Sequence, residues 1–128
     1  MEEAIRAVLL ASSGVTALVP AAHLNWGEHP QGASSPYIHM MTISAAEGLT
    51  MKGPDGMSEG RIQVDCYAPT YLVAKQVSRA VIGALHGYRG GGLRLVRHDA
   101  TRDSREGGTN EAERLFRVSL DFTTAWRA

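Results

Sequence analysis

The stretch "GRIQVDCYAPTYLVAKQV", Gly60–Val77, decides how the chain is read. From Arg61 to Tyr67 the residues alternate. Ile62, Val64 and Cys66 point one way, and Arg61, Gln63, Asp65 and Tyr67 point the other, which is the period of a strand with one buried face. Ala68-Pro69-Thr70 breaks the pattern. Pro69 or Thr70 then opens a helix running to about His86, with Val73, Val77, Ala80, Val81 and Ala84 on one face. Gly87 supplies a stop. The corner also holds the chain's single cysteine beside an acid, so it reads either as an active-site corner or as a packing unit.

Toward the C-terminus, Leu93–Arg97 reads as a strand with Leu93 and Leu95 inward. His98–Glu113 reads as a polar, charge-mixed connection. From Arg114 to Thr124 the alternation returns: Phe116, Val118, Leu120 and Phe122 face one side, and Arg117, Ser119, Asp121 and Thr123 the other. Toward the N-terminus, Glu2–Ala11 reads as a helix with Ile5, Val8 and Leu9 as its apolar stripe and Glu2 and Glu3 at the positive end of its dipole. Ser13 offers a cap for a short second turn that Pro20 ends. Leu24–Trp26 is a short strand or a loop. Pro36–Ser44 is rich in strand formers. Ala45–Gly60 reads as a long loop, marked by four glycines and the turn signal Pro54-Asp55-Gly56. Its apolar Leu49, Met51 and Met57 have a reason to be there if another chain covers them.

These elements imply an α+β fold in one domain over residues 1–128: a mixed, mostly antiparallel sheet with one wet face and helices packed on the other. Clean alternation argues against a doubly wound parallel sheet, whose strands are apolar on both faces. Thirteen basic and thirteen acidic residues cancel to zero net charge. That removes the usual basis for strong nucleic-acid binding. One cysteine excludes an internal disulfide and a cysteine-based zinc site. The N-terminus starts acidic, and its apolar run is too short and too charged for a secretion signal or a membrane span, so a soluble, cytoplasmically made protein is expected.

Chemistry-bearing residues find structural explanations. Cys66 shares a face with Ile62 and Val64, as a buried thiol usually does, and Asp65 points the other way, so the two cannot act together. His23, His29, His39, His86 and His98 show no metal-ligand spacing; His86 has the dipole of a helix C-terminus as its explanation. Gly90, Gly91 and Gly92 follow a helix and precede a strand, the wrong order for a phosphate loop. Arg94, Arg97 and Arg102 make a basic stripe, but Asp99, Asp103, Glu106 and Glu111 turn it into a salt-bridged face. Ser12, Ser13, Ser34 and Ser35 lack a nucleophile elbow. Met40, Met41, Met51 and Met57 straddle the long loop, as core residues or as an adaptable contact surface.

Taken in order, "MEEAIRAVLLASSGVTALV", "PQGASSPYIHMMTIS", "RIQVDCYAPTYLVAKQVSRAVIGAL" and "RLFRVSLDFTTAW" resemble the small tail-completion, or tail-terminator, proteins of long-tailed phages, prophages and gene transfer agents. The resemblance spans nearly the whole chain and is strongest over Arg61–Val77, with Asp65, Tyr67, Tyr71 and Ala74. It implies a structural protein of the virion neck: a hexameric ring of identical subunits on the head-proximal end of the tail tube. Such a ring stops tube growth and offers a surface to a neck protein, a stopper or adaptor, while DNA passes through its bore. It implies no cofactor, no metal and no catalytic residue, and it makes the opening corner a packing unit. The residues expected at protein contacts are Leu49, Met51 and Met57 on the loop, and Arg61, Gln63, Asp65, Arg117 and Asp121 on the polar strand faces. The alternatives are another neck ring, or a small enzyme with a site built from Asp65, Tyr67 and a distant histidine.

Overall fold

The computed structural model describes residues 2–26, 36–50, 53–90, 92–107 and 114–127; for 46–50, 53–57, 104–107, 114–115 and 127 it describes the backbone alone. Along the chain come helices α1 (Glu2–Ala11) and α2 (Ser13–Thr16), a 3-10 turn (Ala21–His23), strands β1 (Leu24–Trp26), β2 (Tyr37–Thr50) and β3 (Gly53–Ala68), helix α3 (Tyr71–Leu85), and strands β4 (Leu93–Gly107) and β5 (Arg114–Arg127). The five strands form one sheet in the order β1-β2-β3-β5-β4. Among the described residues, only the β1–β2 pair is parallel. The fold is α+β with a mixed, mostly antiparallel sheet, and Leu24–Trp26 is a strand.

The helices form where the apolar spacing asks for them. In α1, Ile5 and Leu9 are buried one turn apart. In α3, Ala74, Val77, Ser78, Val81 and Leu85 are buried at three- and four-residue steps, with Val73, Ala80 and Ala84 packed at their margin. Thr70 caps α3, its hydroxyl accepting the Val73 N–H at 3.2 Å. Beyond the helix, Gly87 takes φ 80°, a left-handed turn that favours glycine. The boundary residue of α2 is Ser12 rather than Ser13, and it works through its carbonyl, which accepts the N–H groups of Val15 and Thr16. Ile62, Val64, Cys66, Val118, Leu120 and Phe122 form the sheet's buried face. Ile38 and Met40 extend it, and Ile5, Leu9, Val15 and Val19 close it from the N-terminal helices. Each large side chain so buried contributes about 1.5–3 kcal/mol relative to exposure.

Three expectations are corrected. The stretch expected to be a loop, Ala45–Gly60, is paired strand over its described residues, 45–50 and 53–60: Ala45 pairs with Gly60, Glu47 with Ser58 and Leu49 with Pro54. The expected polar connection after Arg97 is strand as far as Gly107, paired with β5 back to Arg114. Ladders are held by backbone groups, so a hairpin that runs past its core needs no alternation in side chains. Finally, Leu95 is exposed while Val96 is buried. A register shift between Leu93 and Leu95 adds a residue at Arg94 and reverses the inward phase.

Gly60 marks a close approach. A Cβ there would lie 2.7 Å from the Ser44 carbonyl and 3.0 Å from the Trp126 ring. Only glycine lets the indole of β5 lie across β3 at this point. Each edge of the sheet is partly covered. β1 lies along β2 at Ile38–Met40. At the other edge, the turn after α3 bonds to β4: the Gly87 N–H donates to the Val96 carbonyl at 2.7 Å, and the His98 N–H donates to His86 Nδ1 at 3.0 Å.

Candidate functional site

Alternation places Arg61, Gln63, Asp65 and Tyr67 of β3 on the face turned away from the helices, and the register sets Arg117, Ser119, Asp121 and Thr123 of β5 beside them. β2 adds Tyr37, His39 and Met41, and β4 adds Arg97 and Arg102. The structure therefore brings five of the expected contact residues, Arg61, Gln63, Asp65, Arg117 and Asp121, onto one surface. Met51 lies outside the described residues. Leu49 and Met57 lie in β2 and β3 as backbone positions of the hairpin, Leu49 opposite Pro54 and Met57 opposite Arg127.

The polar face is bonded across strands. Arg102 Nη2 of β4 donates to Asp121 Oδ1 at 3.0 Å and to Gln63 Oε1 at 3.5 Å. Gln63 Nε2 in turn donates to both carboxylate oxygens of Asp65, at 2.9 and 3.1 Å. His39 Nδ1 stands 4.0 Å from Asp65 Oδ2. Tyr37 and Tyr67 stack at 4.6 Å between centroids. Arg97 Nε donates to Asp99 at 2.8 Å, and the Thr123 hydroxyl donates to the same carboxylate. That hydroxyl first, and then the charges of Arg97 and Arg61, hold the Asp99 carboxyl below the usual carboxylate range. Arg97 is thus paired with Asp99, as the mixed charge pattern implied, while Arg102 pairs with Asp121 of β5, which is not one of the acids expected there.

Two paired residues depart from the wet-face expectation, Ser119, 3% exposed, and Asp65. Asp65 is only 3% exposed. It sits on the central strand between His39 of β2 and Ser119 of β5, and Gln63 bonds over it. Its charge is a buried, bonded charge on an otherwise open face.

Asp103 also lies elsewhere than expected: it faces α3. Its Oδ1 accepts from Lys75 Nζ at 2.9 Å and its Oδ2 from the Tyr71 hydroxyl at 3.0 Å. Tyr71 stands edge-on to Phe116 at 6.0 Å. Lys75 lowers the Asp103 carboxyl, with Tyr71 adding to the effect, and Asp103 raises the Lys75 ammonium. This cluster ties the start of α3 to the hairpin of β4 and β5.

The chemical candidates remain apart. Cys66 is fully buried on the core face, and burial first, then the Asp65 charge, pushes its thiol far above the ordinary thiol range. His23 lies by the Pro36 carbonyl, and His29 is outside the described residues. His98 Nε2 meets Thr101 Oγ1 at 2.8 Å. His86 accepts a backbone N–H at Nδ1, so it joins a helix end to a strand where a dipole role was expected. No signal in the sequence marks that twelve-residue link. Among the described residues, no three of His, Cys, Asp and Glu are grouped to hold a metal ion. No described helix is long and apolar enough to cross a membrane. Two depressions of about 320 and 190 Å³ open on the polar face and share Arg61. The arrangement as a whole presents fixed, paired charges on a rigid sheet, which suits contact with another protein surface.

A protein-family model described as tail completion protein gp17 matches residues 3–127. One solved chain, from the virion of a native gene transfer agent particle, superimposes with a TM-score of 0.70 at 18% identity, covering 97% of this chain and 92% of that chain. A second solved chain, whose name carries no functional description, gives 0.52 at 20% identity over 97% of this chain and 95% of that one. At these identities the likeness is one of fold. No curated protein matches the chain.

Proposed function

Since the chain belongs to the family of tail completion proteins, and is therefore a structural tail protein, we propose that it caps the head-proximal end of the tail tube as a six-membered ring. The ring ends tube growth and joins the tail to the head through a neck protein. The observation that carries this reading is a family match running from residue 3 to residue 127, so the whole fold, rather than a grafted module, is what the family shares. The likeness in fold to a chain of a gene transfer agent virion supports it.

The contact surface is the polar sheet face, with Arg61, Gln63, Asp65, Arg117 and Asp121, together with Leu49, Met51 and Met57 of the stretch 45–60. The partners are copies of the same chain, the major tail tube protein, and a stopper or adaptor on the head side. DNA crosses the bore without specific recognition, which agrees with a chain whose charges sum to zero. On this reading the protein works at the virion neck as a structural part; a thiol sealed in the core and the bonded carboxylates of Asp65 and Asp121 are in keeping with that.

Deleting the gene and imaging the particles tests this. The expected result is tails of irregular, often excessive length that fail to join heads. Normal-length tails that stay detached would assign the protein to a stopper or adaptor ring instead. Normal tails joined to heads would overturn the neck assignment altogether.

A further inference from the structure

Among the described residues, each edge of the sheet is covered over one half and open over the other. β1 covers β2 at Ile38–Met40; from Met41 to Thr50, among the described residues, β2 has β3 alone as a neighbour. The turn after α3 bonds to β4 at Val96 and His98; from Ala100 to Gly107, among the described residues, β4 has β5 alone as a neighbouring strand, with α3 touching it at the Asp103 side chain. An open strand edge is a template for another strand. The open half of β2, "MTISAAEGLT", has neither Lys nor Pro and a single charge, Glu47; of the usual devices that blunt an edge it carries only two register shifts, at Ile43 and Gly48. Met41 and Ile43 at its start are 42% and 51% exposed.

We propose that the open half of β2 in one subunit pairs antiparallel with the open half of β4 in the next copy, so that the sheets of the ring join edge to edge. This rests on the ring reading above. The strand directions permit it. β2 is antiparallel to β3, β3 to β5 and β5 to β4; β2 and β4 therefore run in opposite senses, and a copy set beside the first without being turned over meets it antiparallel.

The covered halves fix the offset. Met40, Val64, Leu120 and Thr101 lie in one row across the sheet. The open half of β2 extends from that row toward one end, and the open half of β4 toward the other. Sliding the copy by about seven or eight residues, roughly 25 Å along the strands, aligns the two open halves. The same slide carries the α3 turn past the end of β2, and β1 past the end of β4, so the elements that cover the edges also set the register. Like edges would pair about a two-fold axis and stop at a dimer; unlike edges let a ring close.

Disulfide mapping on assembled tails tests the join. Ser44→Cys is combined in turn with Arg105→Cys and with Glu106→Cys, leaving the buried Cys66 in place. Mild oxidation should give a ladder of linked subunits ending at the ring, with each single variant remaining monomeric on a denaturing gel. Hydrogen exchange keeps the test valid if a variant fails to fold. In the unmodified protein, amides in 41–50 and 100–107 should exchange about tenfold or more slowly in tails than in free subunits. Rings seen by electron microscopy with no ladder and unchanged exchange would overturn the edge join and leave the ring standing. So would rings linked through Arg61→Cys with Arg117→Cys, or a dimer from Ser44→Cys alone. Absence of rings would overturn the ring reading itself.

Discussion

Asp65 and Cys66 are neighbours in sequence and face opposite ways through the same sheet. On the Cys66 side every strand contributes apolar side chains to one closed core. On the Asp65 side the same strands contribute a bonded polar layer in which Arg102, Gln63 and Asp121 are joined but open to solvent. The first face holds the fold together; the second presents a fixed pattern to the outside. The two differ in what a substitution costs, because burial contributes several kcal/mol per side chain while an exposed ion pair contributes about 1 kcal/mol or less.

The largest test of that contrast is Phe122→Ala against Asp121→Asn, adjacent positions on the two faces. Removing the Phe122 ring empties the middle of the core and should cost about 3–5 kcal/mol. Removing the Asp121 charge should cost less than about 1 kcal/mol, and denaturant unfolding measures both. Comparable losses would mean that the polar face is as structural as the core. Asp65→Ala probes the exception. It removes the buried acceptor of Gln63 and should cost about 1–3 kcal/mol, well above Asp121→Asn. If Asp65→Ala behaved like a surface change, the burial of that carboxylate would have no energetic meaning.

The core face has an exception of its own. Thr124 is fully buried, and its hydroxyl finds no partner among the described residues. Thr124→Val keeps the shape and removes the unbonded group, so it should raise stability by about 1 kcal/mol, read as an upward shift in melting temperature.

The smallest effect concerns the ion pair beneath α3. Asp103 titrates lower in the folded chain than in the unfolded one. Its contribution is therefore complete above the unfolded carboxylate range and is lost as pH falls through the depressed folded value. Lys75 is raised, so its share is present at neutral pH and is lost only as pH rises through the raised folded value. The pair is partly exposed, and screening keeps it below about 1 kcal/mol. Asp103→Asn should flatten the acid side of the stability profile slightly and leave the neutral region nearly unchanged. An unaltered acid limb would mean that the pair makes no net contribution.

What could be read from the sequence divides along the same line. The core face was legible because burial imposes a period: Ile62, Val64 and Cys66, then Phe116 to Phe122, announce two strands, and the stripes of α1 and α3 announce their helices. The polar face was legible as a set, since Arg61, Gln63, Asp65, Arg117 and Asp121 share it. It was not legible as a network. That Gln63 would bond over Asp65, or that Asp103 would turn to Lys75, depends on register between distant segments. The outer halves of both hairpins were missed for a related reason: beyond the core, pairing is carried by backbone groups common to all residues, and glycines and charges there resemble those of a loop. At Leu95 a single inserted residue reversed the phase, and alternation alone carries no sign of it.

The two hairpins run past the core in opposite directions. β2 and β3 continue past their last pairing with β5 at Met57, while β4 and β5 continue past the last pairing with β3 at Ala68. The middle strands β3 and β5 therefore overlap along the full length that joins the two projecting ends. A pull on those ends lies along the strands. It strains the overlapping backbone bonds together, in shear, where a pull across the sheet would open them one after another like a zip. The molecule is stiff along one axis, and that axis links its two projecting ends.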